Sequence, residues 1–459
     1  MLEIYNQLFT QLNADKISYC SWKNNHLLLR ACNGDGDIDL LVSPAEHSKF
    51  NRILRKLGFI MVKSAISEYP SIQHYYCYDA LTDHFGHLHV YFKLITGDSH
   101  LKNYRIPFER KVLANSIFNE SGVKEAHPNH QLELYKIRNH IKASSFLGRF
   151  LLKREEEDYQ LELNYILSNI DKNISHVELL LTNFSKKIPN KPIISSLIYA
   201  ILNLWIWKRD VGILERVSQI YLRILNKFFF HRKKTINGAI ISIVGLDGSG
   251  KSSSVNELNK WLVKEFTSKK FHFGRPPPIF ITYPFRLLLK LRKLFKNSNS
   301  VASLKDTSNS YMSLLSKIRY LVLAFERASL IKKAHRFALN GGIAILDRYP
   351  SNNLGKMDSK RISDEKSFIG IIESNLYDRM KITDVLIKLN VDVEEAVVRN
   401  KLRNKKDKET DNEIRIRFEI NAKLDYEALI EYEVDSMQSI NEVHQQIKNL
   451  IWGYIIASN

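Results

Sequence analysis

Through the second half of the chain, short apolar runs alternate with longer stretches of helical periodicity. Ala239-Ile-Ile-Ser-Ile-Val244, Phe271-His-Phe273, Gly342-Ile-Ala-Ile-Leu346 and Val385-Leu-Ile-Lys-Leu389 each have the length and residue content of a strand. Runs of this kind separated by helices predict a parallel sheet covered on both faces, and the first helix is expected over Ser252 to Leu262. Upstream the pattern differs. Gln131 to Lys233 reads as almost wholly helical, whereas residues 1 to about 142 mix short strands with helices. The expected organisation is therefore 1–142, a helical connector at 143–235, and an α/β domain at 236–459. The last boundary falls at the basic run and glycine of Phe228-Phe-Phe-His-Arg-Lys-Lys-Thr-Ile-Asn-Gly238.

Two further stretches have alternative readings. Pro192 to Trp207 is strongly apolar, but it is shorter than the roughly twenty residues of a spanning helix and is interrupted by Asn203, so a buried helix is expected. Arg286 to Lys296 is basic and amphipathic, which suits a helix covering the sheet with a solvated charged face and leaves peripheral membrane contact open. Lys296 to Ser310, rich in Asn and Ser, is expected as a loop.

Chemistry concentrates where the strands end. Residues 245 to 252 read Gly-Leu-Asp-Gly-Ser-Gly-Lys-Ser, a complete G-x-x-x-x-G-K-[ST] phosphate loop between a strand and a helix. Gly245, Gly248 and Gly250 let backbone amides turn inward, Lys251 adds a point charge, Ser252 offers a hydroxyl to Mg2+, and the helix N-terminus faces the phosphates. Asp347-Arg348-Tyr349 follows an apolar run, at the strand end where open sheets hold ligands. An Asp there can orient Mg2+ and an Arg can grip a phosphate. After the strand leading to Asp392, Arg399 and Arg403 share one helical face, and Lys401 to Asp411 reads as an exposed lid able to bring a cation over a moving phosphoryl group. In the first block, Asp37 and Asp39 lie two apart on an expected strand, on one face and able to share a divalent ion.

In order, the phosphate loop, Asp-Arg-Tyr, the strand before Asp392 and the arginine-bearing lid resemble the thymidylate kinase branch of P-loop nucleoside monophosphate kinases, over about residues 238 to 455. The resemblance implies nucleotide binding by Gly245, Asp247, Gly248, Ser249, Gly250, Lys251, Ser252 and Ser253. It also implies that Asp247 contacts the acceptor's sugar hydroxyl, that Arg348 holds the acceptor phosphate, and, because Gly248 follows Asp247, that the catalytic arginine comes from the lid. Its acceptor motif is replaced by Phe271-His-Phe-Gly-Arg-Pro-Pro-Pro278, with Arg275 as the evident phosphate ligand, and Pro350-Ser-Asn-Asn follows Tyr349. Asp358 is a further candidate for the acceptor site. The first block is similar to the D-x-D element of nucleotidyltransferases, in which two metals assist attack on a triphosphate. Ser21-Trp-Lys-Asn-Asn25 stands where that family has Gly-Ser, and His87 or His89 stands where its third acid is expected. The implied fold class is α/β: a C-terminal P-loop kinase with a parallel sheet flanked by helices, joined through the helical connector to an N-terminal α+β nucleotidyltransferase-like domain.

Composition adds less. The 459 residues are 44% hydrophobic and 25% charged, enough for several cores, and 68 Lys plus Arg against 49 Asp plus Glu give a net charge of +19. Such an excess suits anionic ligands, nucleic acid or an anionic membrane and selects none of them. Cys20, Cys32 and Cys77 form no paired framework, and the first residues do not resemble a secretory signal, so a cytoplasmic location is expected. The leading expectation is an enzyme using ATP and Mg2+ to phosphorylate a phosphate-bearing small molecule, a nucleoside monophosphate. A kinase for a sugar, glycan or lipid-linked acceptor is the second. A nucleotide-gated, non-catalytic nucleic-acid-binding module ranks last because no base-reading motif is visible. Kinases of the resembled family commonly pair, which makes a homodimer one expectation.

Overall fold

The computed structural model describes residues 1–64, 71–96, 104–143, 156–170, 221, 233–246, 248–274, 276–280, 282–287, 314–349, 367–402, 410–422 and 426–459. Contacts divide the chain into two units, Met1–Ile236 and Asn237–Ser458.

Period-two alternation builds the first unit. Its strands are β1 (Tyr19–Ser21), β2 (Asp37–Val42), β3 (Ile60–Ser64), β4 (Ile72–Asp79), β5 (His84–Tyr91), the short pair β6 (Ile95–Thr96) and β7 (Tyr104–Arg105), β8 (Ile117–Phe118), β9 (Lys124–Glu125) and β10 (Lys233–Thr235). All except β6 and β7 join one sheet in the order β10-β3-β4-β5-β2-β1-β9-β8. The β2 side chains split by face as the pleat requires. Ile38, Leu40 and Val42 enter a core with Leu88 and Val90 of β5, covered by Tyr5, Leu8 and Leu12 of the helix Glu3–Ala14 and by Phe50 and Leu54 of the helix His47–Lys56. Asp37, Asp39 and Leu41 alternate onto the opposite face, where Leu41 packs with Trp22, Tyr91 and Leu134.

From the stretch read as a helical connector, the helix Glu156–Ser168 and strand β10 belong to this unit. β10 pairs antiparallel with β3. Glu162 accepts from the Asn24 backbone N-H at 3.1 Å and from Arg138 Nη2, on the helix Pro128–Ala143, at 2.5 Å. The pair is buried, with side chains 10% and 5% exposed.

The second unit carries β11 (Ala239–Gly245), β12 (Ser268–His272), β13 (Ile343–Asp347), β14 (Thr383–Asn390) and β15 (Ala428–Asp435), all parallel, in the order β12-β13-β11-β14-β15. The three central strands are apolar because both their faces are covered. Ile240, Ala344 and Leu346 pack on Leu330, Ile331 and Ala334 of the helix Leu314–Leu339. Ile241, Ile243 and Ile345 alternate to the other face and are fully buried. The helix Lys251–Val263 also contacts β11 and β13, and its Trp261 meets Trp452 of the helix Ile440–Ser458 edge-on.

The expected strands at 239–244, 342–346 and 385–389 agree with the structure to within two residues. The run Phe271–Phe273 does not: β12 begins at Ser268 and ends at His272. Its first half is polar because it lies at the sheet edge. β15 was not expected at all, since this opposite edge strand is largely exposed and alternates Glu431 and Glu433 with Tyr432 and Val434. No helix among the described residues is long and apolar enough to cross a membrane. Pro192–Trp207, the loop 296–310 and residues 288–296 of the basic stretch lie outside the described residues.

Burial raises the pKa of Glu162, but Arg138 and the Asn24 N-H more than offset it and hold the carboxyl below the ordinary glutamate value of 4.5. A depressed folded-state pKa contributes stability above the ordinary value that is lost as pH falls through the folded one. Glu162→Gln leaves the Arg138 charge buried and is expected to cost about 3 kcal/mol at pH 7. The difference from the parent should shrink below pH 4.5. Urea denaturation of both proteins across pH 3 to 7 checks this.

Candidate functional site

The site is built where β11 runs out into glycine. Gly245, the last residue of β11, has φ +151°, and a Cβ there would lie 2.6 Å from Ser249 Oγ and 2.7 Å from the Leu389 carbonyl oxygen. Gly248 has φ +102°, and its Cβ position is 3.0 Å from the carbonyl oxygen of Ala396 on the helix Val393–Leu402. Only glycine meets both the dihedral and the clearance. Gly250 follows as the left-handed N-cap of the helix Lys251–Val263, with open space at its Cβ position.

The loop is closed by its own hydrogen bonds. Ser249 N-H donates to the Leu246 carbonyl at 3.1 Å. Lys251 is buried, and its ammonium donates to the carbonyls of Gly245 at 2.7 Å and Leu246 at 2.6 Å. The Ser249 hydroxyl is buried and has no hydrogen-bond partner among the described residues. Ser252 and Ser253, in the first helical turn, are exposed. Asp247 lies outside the described residues.

Strand register places the next groups. Asp347 pairs with Ile243 of β11 on one side and His272 of β12 on the other. Its Oδ2 is 2.9 Å from His272 Nδ1. Burial pushes the Asp347 carboxyl up, but the hydrogen bond and charge of His272, with Arg348 and Lys251, bring it below the usual carboxylate range. Arg348 has φ +78°, a left-handed conformation that costs a residue with a side chain of order 1–3 kcal/mol and clusters at functional sites. Its N-H bonds the Ile243 carbonyl at 3.2 Å, and its guanidinium stem lies against Gly274, where a Cβ would be 3.0 Å from Arg348 Nε. Tyr349 turns inward instead: its hydroxyl donates to the Glu427 carbonyl and its ring packs on Tyr426.

Arg399 lies one turn beyond Ala396, the residue that approaches Gly248. Its Nε is 2.7 Å from Glu395 Oε1. Arg403, Arg275 and Asp358 lie outside the described residues, as does the lid from 403 to 409. Among the described residues the structure thus brings Gly245, Lys251, Asp347 and Arg348 to one edge of the sheet and Arg399 to the helix above the loop.

Two polar neighbours of this edge had no sequence signal. His272 is identified only by its register with Asp347. Arg327, fully buried in the helix Leu314–Leu339, donates from Nε to the Phe273 carbonyl at 3.1 Å and from Nη1 to Tyr377 Oη at 2.8 Å, bracing the chain just before Gly274.

In the first unit, Asp37 and Asp39 face His89, whose Nδ1 is 3.5 Å from Asp37 Oδ2 and 3.1 Å from Asp39 Oδ1. Lys23 Nζ is 2.9 Å from Asp39 Oδ1. Burial opposes charge on Asp39, yet the Lys23 ammonium and the His89 ring hold its carboxyl far below the usual range. His89 likewise lowers Asp37, against burial and the charge of Asp39.

A strand, a glycine loop capping a helix and a parallel sheet make the second unit an α/β unit compatible with a phosphate-loop kinase fold. No family model matches the chain. Over 234 residues, 48% of this chain and 89% of the relative, it is 23% identical to the uncharacterized ATP-binding protein YghR of Escherichia coli strain K12. Over 236 residues, 47% of this chain and 99% of the relative, it is 27% identical to the thymidylate kinase of Prochlorococcus marinus strain NATL2A. Among solved structures, thymidylate kinase from Candida albicans aligns with a TM-score of 0.32 and 20% identity, over 48% of this chain and 93% of that one. The likeness of the first unit to nucleotidyltransferases rests on the residues alone.

The clearance at Gly245 makes a test. Gly245→Ala must displace either the Leu389 carbonyl or Ser249, and is expected to lower stability by about 1–3 kcal/mol and to weaken nucleotide binding. Denaturation midpoints and ATP titration of the variant check both effects.

Proposed function

We propose that the second unit is an ATP-dependent phosphotransferase whose acceptor is a nucleoside monophosphate. The observation that carries this is the position of Lys251. Its buried ammonium is held by the Gly245 and Leu246 carbonyls at the N-terminus of the helix Lys251–Val263, at the strand end of the sheet that also carries Asp347 and Arg348. A helix terminus with inward amides and a buried cation is a receptor for a polyphosphate. The similarity to an ATP-binding protein and a thymidylate kinase supports the same reading.

The residues fit a magnesium nucleotide. Space is open at the Gly250 Cβ position, the Ser249 hydroxyl is buried with no partner among the described residues, Ser252 is exposed at the first turn, and the Asp347 carboxyl is held below the usual range. Ser252 and Asp347 would hold Mg2+, which when bound neutralises phosphate charge.

The protein's own part is positioning and electrostatics. Loop amides from Gly245, Asp247, Gly248, Ser249 and Gly250, with Ser252 and Ser253, grip the phosphate chain while Lys251 leaves its carbonyls to pair with the β and γ oxygens. Arg348, with Arg275, holds the acceptor phosphate in line, and Asp247 and Asp358 contact the acceptor's polar groups. An acceptor phosphate oxygen bonds to the γ-phosphorus as the bond to the β-phosphate oxygen breaks, giving ADP and a nucleoside diphosphate. Arg399 or Arg403 covers the transferring group, whose charge is spread over its outer oxygens.

Lys251→Ala is expected to lower phosphotransfer by roughly a hundredfold or more while the far-ultraviolet dichroism stays unchanged. Arg348→Ala should raise KM for the acceptor by roughly tenfold or more and change KM for ATP little. Incubation of the purified chain with labelled ATP and a panel of nucleoside monophosphates, free sugars and lipid-linked glycans reads the acceptor. Label on a sugar or lipid and on no nucleotide would overturn the proposed acceptor, and undiminished transfer in Lys251→Ala would remove the loop from the reaction.

A further inference from the structure

Three adjacent strands of the first unit carry two rows of polar side chains on one face. β2 and β5 align Asp37 with His87 and Asp39 with His89, and β4 and β5 align Tyr76 with His87 and His74 with His89. Residues two apart share a face, so Asp37, His87 and Tyr76 form one row and Asp39, His89 and His74 the next. The rings stack across the strands, with centroids 4.3 Å apart for Tyr76 and His87 and 4.4 Å for His74 and His89. Between the rows, His74 Nδ1 lies 3.0 Å from His87 Nε2.

At one end of these rows Asp37, Asp39 and His89 converge, with one donor atom from each within 4.8 Å of the others. Asp39 is 1% exposed at its side chain. Its Oδ2 accepts from Asn24 Nδ2 at 3.0 Å, whereas Oδ1 receives no well-aligned hydrogen bond among the described residues and faces the Lys23 ammonium and the imidazole. Lys23 is itself anchored, its Nζ 5.4 Å from the Trp22 ring centroid and 5.3 Å from that of Tyr91.

This set departs from what the nucleotidyltransferase resemblance calls for. Two magnesium ions need several oxygen donors and a large negative charge. Here the third carboxylate is replaced by an imidazole, and a fixed ammonium already offsets one of the two remaining negative charges. An O2N donor set with an imidazole suits a borderline divalent ion. We propose that Asp37, Asp39 and His89 form a site for a single transition ion of the Mn2+ or Zn2+ type, with Lys23 as a built-in competitor. Three protein donors leave coordination positions open, so the bound ion would face water or an anionic ligand. The stacked His74 ring, on β4, fixes the ring plane of His89 from the side away from the carboxylates.

The test uses the full chain, stripped with a chelator and dialysed against Zn2+, Mn2+ or Mg2+ without nucleotide. One Zn2+ or Mn2+ per chain is expected, with Mg2+ unbound at the same concentration. Asp39→Asn and His89→Gln should each weaken binding by roughly tenfold or more. Lys23→Met should tighten it, because an opposing charge is removed. Asp347→Asn, in the other unit, should keep the ion, which separates this inference from failure of the kinase proposal. Because Asp39 is buried, a second readout guards against simple unfolding: Zn2+ should raise the melting temperature of the parent and leave that of folded His89→Gln unchanged. No bound ion in the parent, equal retention in folded His89→Gln, or two Mg2+ per chain would overturn the proposal.

Discussion

Everything in the second unit depends on how closely three parallel strands bring their carboxyl ends together. β11 lies between β13 and β14, and its last residue is pressed so tightly against the Leu389 carbonyl that a side chain has no place there. That closeness is why glycine ends the strand, and the chain beyond it is closed by the Ser249 N-H on the Leu246 carbonyl. The same register sets Asp347 beside Ile243, within reach of the loop lysine's charge. The strained backbone of Arg348 follows from this geometry: the chain must turn sharply at the strand end while its side chain lies over Gly274. Strain is tolerated where the surrounding packing over-determines the conformation, and here Tyr349, bonded to the Glu427 carbonyl, holds the next residue in place.

How much of this was legible in the sequence follows burial. β11, β13 and β14 are covered on both faces, so their composition is nearly continuous and apolar, and runs of branched residues announce them. The edge strands carry no such mark. Ser268-Lys269-Lys270 looks like a charged turn, and Glu431-Tyr432-Glu433 like a surface loop, because one side of each strand meets water. The phosphate loop was readable because its glycines and lysine are required locally, by dihedral and by charge. His272 was not, because its significance comes from a partner, Asp347, 75 positions away.

The first unit shows the same limit from another side. The spacing of Asp37 and Asp39 fixes their shared face, and the sequence narrowed their expected third neighbour to two histidines. Strand register sets each histidine opposite one carboxylate, and side-chain geometry decides between them: His89 Nδ1 meets both carboxylates, while His87 Nε2 is bonded to His74. Lys23, which stands in a segment read only for what it lacked, proves to be the cation closest to Asp39. A side chain contributed by a neighbouring strand cannot be found by scanning for motifs along one strand.

The inward fold of Lys251 has a thermodynamic corollary. With its ammonium on the Gly245 and Leu246 carbonyls, the lysine already has partners of its own, so pairing with a polyphosphate exchanges one set of contacts for another. Measured affinity then reports a difference between two paired states. Replacing the lysine alters both, taking a donor from the Gly245 and Leu246 carbonyls as well as depriving the phosphates of a counter-charge. The intrinsic attraction between that ammonium and its ligand is consequently larger than any mutant titration will return.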